Sequence, residues 1–141
     1  MLVNFKVKQI ALAGALVCSL LLSVTSQAGH NNSHVDVVVG ELSKQGLKGQ
    51  VVFNNNCAAC HGENAAGGLG GPPLIHTIYN PGHHANEAFV RAVKYGVRKH
   101  HWNFANMPPQ PQIGFSDLVF LTKFIREVQA QNGIATMQHQ M

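Results

Sequence analysis

The sequence predicts an all-α domain, and three observations carry that expectation. Apolar residues recur at helical spacing in three segments, no stretch is strand-rich, and Gly/Pro/Asn-rich stretches separate the periodic ones. The chain has 141 residues, 45% apolar and 11% charged. That suits one compact domain and excludes a disordered tail, a coiled coil or a multi-domain enzyme. No internal repeat is present.

The N-terminal 28 residues read as an address rather than as part of the fold. Lys6 and Lys8 precede an apolar run over 10–22, and Ser26-Gln27-Ala28 offers small residues for cleavage. The run is short of the ~20 residues that cross a bilayer, which favours a cleaved secretory leader over a retained anchor. Periplasmic export follows as the expectation, with no membrane span after cleavage. The formal charge of +4 includes both leader lysines, so the remainder carries about +2. Cys18 leaves with the leader.

Residues 29–42 are polar apart from Val35 and Val37 to Val39, and read as a flexible lead-in or a short extended arm. A first helix is predicted over 43–55, with Ser43 as N-cap and Leu47 and Val51 one turn apart; Gly46 and Gly49 weaken it in isolation, so packing must hold it. Residues 62–73 contain five glycines and two prolines and exclude regular structure. They are no phosphate loop, because no Lys-Ser/Thr follows and prolines stand where a helix N-terminus would begin. A second helix is predicted over 85–99, burying Phe89, Val93 and Val97 and presenting Arg91, Lys94 and Arg98, with Asn86 or Asn80 as cap. After a turn-rich stretch, Ser116 is the candidate N-cap of a last helix reaching about Gln131. Leu118, Leu121, Ile125 and Val128 form its buried stripe, and Gly133 stops it. Residues 132–141 read as a frayed tail, which leaves 43–131 as the domain.

Cys57-Ala58-Ala59-Cys60-His61 carries the chemistry. This C-x-x-C-H arrangement is that of covalent c-type haem attachment: two thiols three positions apart reach two vinyl groups, and the adjacent imidazole is held under the iron. A disulfide here would close almost no loop and stabilise little. A zinc site lacks its remaining cysteine ligands, and a redox dithiol lacks the βαβ setting it needs.

These residues resemble the small single-haem class I cytochromes c over about 43–131. Gly49 and Phe53 match the family's glycine and aromatic four apart, where the first helix crosses the last, with Phe124 as aromatic partner. Gly71-Pro72-Pro73-Leu74 resembles the family's Gly-Pro-x-Leu element, which implies that the Pro72 carbonyl accepts from His61 Nδ1 and leaves Nε2 for iron. Met107-Pro108 resembles the distal Met-Pro, which implies a thioether as sixth ligand. His61 and Met107 are thus the expected metal ligands. Rival imidazoles exist in His83-His84 and His100-His101, but neither pair has a carboxylate or Cys at metal-binding spacing, and both read as solvated surface. Trp102 is either a packing aromatic or a donor to a haem propionate.

The resemblance implies a cytochrome c-like fold of three to four helices around one haem c, and a monomeric electron carrier rather than an enzyme. Its partners would be redox proteins: a membrane complex, dehydrogenase, oxidase or reductase. Arg91, Lys94, Arg98 and Lys99, with Lys44 and Lys48, could form a steering rim. Nucleic-acid binding makes no sense in that compartment. Two alternatives remain: a haem-bearing subunit of a larger redox enzyme, and a gas- or peroxide-binding protein should the Met ligand be labile.

Overall fold

The computed structural model describes residues 34–137; the predicted leader, His30, His139 and Met141 lie outside them. Four α-helices form: α1 (Lys44–Asn56), α2 (Ala58–His61), α3 (Asn86–Tyr95) and α4 (Phe115–Gln131). Short 3-10 turns occur at Glu63–Ala65 and Thr77–Tyr79, and among the described residues the only β pairing is an isolated bridge between Val97 and Met107. The all-α expectation holds.

The framework is the crossing of α1 and α4. Ser43 caps α1 as expected, its hydroxyl accepting from the Gly46 amide at 3.0 Å. The face that α1 buries is Gly46, Gly49 and Phe53, whereas Leu47 and Val51 are 51% and 60% exposed. The apolar pair is therefore on the wrong side, and the glycines decide the orientation. A Cβ on Gly49 would overlap the Phe120 carbonyl and stand 2.7 Å from Phe124 Cβ, so only glycine lets the helices approach this closely. Phe53 and Phe124 then meet with ring centroids 5.7 Å apart and planes tilted by 48°. Such a pair contributes about 0.5–1.5 kcal/mol beyond its buried area. Leu118, Leu121, Ile125 and Val128 are all buried, as the stripe on α4 predicts.

Three boundaries differ from expectation. The α3 helix ends at Tyr95 because Gly96 adopts φ of +75°, and Val97 leaves the helix to exchange both backbone hydrogen bonds with Met107 (2.9 and 3.0 Å). Arg98 is thereby off the helix. Neither Asn86 nor Asn80 caps α3, whose N-cap is Ala85; Asn86 Oδ1 accepts from Arg126 Nε instead. The N-cap of α4 is Gly114, without a side-chain bond, and Ser116 lies inside the first turn. Gly133, at φ of +74°, follows the end of α4 as expected.

Both flanking segments are docked where described. Residues 34–42 form the extended arm: Val38 exchanges bonds with the Asn132 side chain (3.0 and 2.8 Å), and Gly40 and Glu41 do so with Gln131 (2.8 Å each). Amide side chains at the C-terminal end of α4, Gln131 and the C-cap Asn132, thus replace the partner strand that an extended backbone otherwise requires. Residues 132–137 correct the expectation of fraying, since Ile134 is buried and the Met137 amide donates to Asn80 Oδ1.

Candidate functional site

Between the α1–α4 framework, the 72–84 segment, α3 and the 97–107 loop lies a mostly apolar cavity of about 490 Å³. Its size is within the usual range for small-molecule and cofactor sites. Cys57, His61, Pro72, Trp102 and Met107 all line it, together with apolar residues such as Phe53, Leu74, Phe89, Val93 and Leu121. Cys60 does not. It is exposed one turn from Cys57, beside Gly70.

His61 ends α2 and is 9% exposed. Its Nδ1 lies 2.9 Å from the Pro72 carbonyl oxygen. A carbonyl only accepts, so Nδ1 carries the proton and Nε2 keeps a lone pair. Burial lowers the His61 pKa and the Pro72 bond opposes that shift. Cys57 is raised to about 11, first by burial and then by Cys60, so it is a protonated thiol at neutral pH. A reactive redox dithiol needs the opposite shift. The cysteines are not joined to each other.

Trp102 Nε1 is buried with no acceptor at hydrogen-bonding geometry among the described residues. Burial raises the nearby Tyr79 hydroxyl to about 12, with the Trp102 N–H pulling against that rise. The indole N–H of Trp102 thus lies against the Tyr79 hydroxyl in the cavity wall without a well-formed hydrogen bond. Of the predicted cationic rim, Arg91, Arg98 and Lys99 line the cavity; Lys94 does not, and Lys48 sits over the Phe120 ring at 5.2 Å.

The family model for cytochrome c matches residues 47–129. The chain belongs to the cytochrome c family. This cytochrome therefore carries the family's haem c, with iron, and the cysteines of its C-x-x-C-H motif are suited to covalent attachment. The apolar volume, the free imidazole Nε2 and the adjacent Cys57 thiol all fit that group. A domain of this kind serves haem-based electron transfer. Two curated proteins share parts of the sequence. One is the cbb3-type cytochrome c oxidase subunit CcoP of Azospirillum brasilense, 56% identical over 34 residues, covering 20% of this chain and 12% of that protein. The other is the subunit FixP of Bradyrhizobium sp. (strain ORS 278), 44% identical over 54 residues, covering 38% of this chain and 18% of that one. The matched segment is thus a small part of either relative.

Two features were missed by sequence reasoning. Gln129, 1% exposed, donates to the Leu74 and Tyr79 carbonyls (2.9 and 3.1 Å) and accepts from Arg126 at 2.6 Å. Arg126 also donates to the carbonyls of Tyr79 and His84 and lies over the Phe89 ring. Together they fix the segment that walls the cavity. A polar residue inside an apolar helical stripe was the available signal. The second feature is a histidine cluster at the cavity rim. Burial first, then neighbouring imidazoles and Arg126, hold His84 below the ordinary histidine range, against its bond to Ile78; burial and the other histidines do the same for His101.

Proposed function

We propose that this cytochrome is a periplasmic one-electron carrier, not an enzyme. Cys57 and Cys60 would hold the porphyrin by thioethers, and His61 Nε2 and the Met107 sulfur would hold its iron. When bound, the haem supplies a reversible single-electron step between ferric and ferrous iron. Pro72 fixes the tautomer and orientation of His61. Leu74, Phe89, Val93 and Leu121 exclude water, which holds the site's shape and tunes its potential. Trp102 Nε1 would donate to an anionic edge of the porphyrin, and Arg91, Arg98 and Lys99 would steer an acidic partner surface.

The observation that carries this reading is that one cavity is lined by both Met107 and an imidazole whose Nδ1 is already committed to Pro72. If His61 and Met107 both held the iron, no place would be left on it for a substrate, and electron exchange without bond making would be the chemistry it supplies. The leader-like residues 1–28 support export. Within the described residues no helix is long and apolar enough to cross a membrane.

A second reading, a haem subunit of a larger redox complex, is favoured by the likeness to CcoP and FixP. Both readings call for the same haem, so one purification separates them. Reduced and oxidised absorption spectra, with the mass of the exported chain, should show one covalent haem with His/Met ligation. A monomeric elution supports the carrier, whereas stoichiometric co-purification with oxidase subunits supports the second reading. A colourless chain with the mass of bare polypeptide would overturn both. Rapid carbon monoxide binding by the reduced protein would instead mean an open or labile sixth position.

A further inference from the structure

Four imidazoles gather at the rim of the cavity, from two loops that the sequence keeps apart. His83 and His84 follow a turn built by Asn80. The Asn80 side-chain oxygen accepts from the Gly82 and His83 amides at 2.9 and 3.3 Å, its Nδ2 donates to Thr77 at 2.7 Å, and its own carbonyl receives the His84 amide at 2.8 Å. His100 and His101 come from the loop between Gly96 and Met107. His83 Nε2 and His101 Nε2 are 3.4 Å apart, and one ring nitrogen from each of His83, His84 and His101 lies within 4.8 Å of the others. We propose that these three residues bind one divalent transition-metal cation, of which Zn²⁺ is the representative, at a site separate from the iron.

The spacing fits coordination. Two imidazole nitrogens at the usual zinc distance in a tetrahedron stand about 3.3–3.4 Å apart. The same 3.4 Å separation also suits a long N–H···N hydrogen bond between the two rings, which a cation would replace. His84 is also oriented as a ligand. Its Nδ1 is 2.8 Å from the Ile78 carbonyl and must donate to it, which leaves Nε2 with a lone pair and gives the ring the backbone partner that metal-bound histidines commonly have. His100 Nδ1 likewise donates to the Arg98 carbonyl at 2.9 Å, and its ring lies 4.2 Å from that of His101, where it buttresses the cluster. No carboxylate belongs to the group, which selects against Ca²⁺ and Mg²⁺ and for cations that accept nitrogen donors. Three protein nitrogens leave a fourth position for water.

Arg98 and Lys99 line the same cavity, so like charge opposes the cation and the imidazoles must supply the whole attraction. The site is therefore exchangeable and open to chelators. Its structural consequence is a cross-link between the 80–84 turn and the loop that carries Trp102 and Met107.

The test is calorimetric titration of the untagged, haem-loaded full chain with zinc sulfate, with elemental analysis after dialysis. The expected result is one zinc per chain in addition to iron, a higher unfolding temperature in its presence, and no saturable heat with calcium or magnesium. His83→Gln and His101→Gln should each weaken zinc binding by about tenfold or more, the scale of loss at perturbed metal sites. These side chains are exposed, and the haem spectrum should be unchanged in both variants, so failure of this proposal is distinguishable from failure of the haem assignment. Absence of saturable uptake would overturn it. So would uptake that persists in the His83→Gln/His101→Gln double variant, which would belong to other histidines of the chain.

Discussion

Replacing Gln129 by Leu isolates the hydrogen bonding that shapes the cavity wall, because the two side chains have similar volume and no large void is created. The Leu74 carbonyl loses the amide that donates to it, while the Tyr79 carbonyl keeps Arg126 Nη1 at 2.8 Å. A buried carbonyl left without its donor costs about 1–3 kcal/mol. Arg126 loses one charged bond but keeps Asn86 and the carbonyls of Tyr79 and His84, and it is partly open to solvent, so that loss adds only about 1 kcal/mol. The total is about 2–4 kcal/mol. With a denaturant slope of about 1–3 kcal/mol per molar, the urea midpoint of the haem-loaded protein should fall by about 0.7–4 M. Urea unfolding followed by haem absorption and by far-UV circular dichroism measures it. A midpoint within about 0.3 M of wild type at unchanged slope would refute the claim that this amide stabilises the 74–79 wall. Gln129→Glu provides the complementary test. At neutral pH it turns a carboxylate toward two carbonyls, so it should also destabilise, and it should recover on acidification as the protonated acid regains a donor.

Three further predictions concern the site, the helix crossing and the N-cap of α1. Met107→Ala should leave haem attached while lowering the reduction potential and opening the iron to exogenous ligands; an unchanged spectrum and potential in a redox titration would remove Met107 as ligand. Gly49→Ala forces a methyl into the Phe120 carbonyl, so thermal unfolding should show a loss at or above the upper end of the usual ~1–3 kcal/mol for overpacking, and a Tm unchanged from wild type would mean that the helices do not cross there. Burial pushes the Glu127 carboxyl up, but the Ser43 hydroxyl and amide and Lys123 outweigh it and hold the group below its ordinary 4.5. A depressed folded pKa means that its stabilisation is complete above pH ~4.5 and is lost as pH falls through the lower folded value. Acid unfolding of Glu127→Gln should show that dependence flattened, and an identical acid profile would count against it.

What the sequence revealed and what it hid follow from the range of the interactions involved. The haem motif was legible because its chemistry is local: Cys57, Cys60 and His61 lie within one turn, and the Pro72 bond closes across a short loop. The stripe on α4 was legible because a fully packed helix face must be apolar. The face of α1 was legible through the resemblance, which put Gly49 and Phe53 at the crossing opposite Phe124. It was not legible through hydropathy, because at a close crossing the space required is that of a hydrogen atom, and Gly46 and Gly49 read locally as helix breakers. A hydropathy reading then assigns Leu47 and Val51 to the core that the glycines occupy. Docking of the arm was hidden for a related reason, since Asn132 and Gln131 replace a strand partner from more than ninety residues away.

The histidines mark the limit most clearly. Judged by spacing, His83-His84 and His100-His101 have no ligand partner, because spacing rules assume that a metal site is built from one short segment. Here the two loops meet only after α3 has run out to Gly96 and the chain has turned back to pair Val97 with Met107, bringing residues eighteen apart to 3.4 Å. The turn at Gly96 and the Val97–Met107 pairing that bring Met107 to the cavity also frame the loop that brings His101 to His83. The position of Met107 at the cavity and the imidazole cluster are therefore coupled by construction. A change in the 97–107 loop that displaces one should displace the other, whereas changes confined to α1 or to the arm should leave the histidine separation untouched.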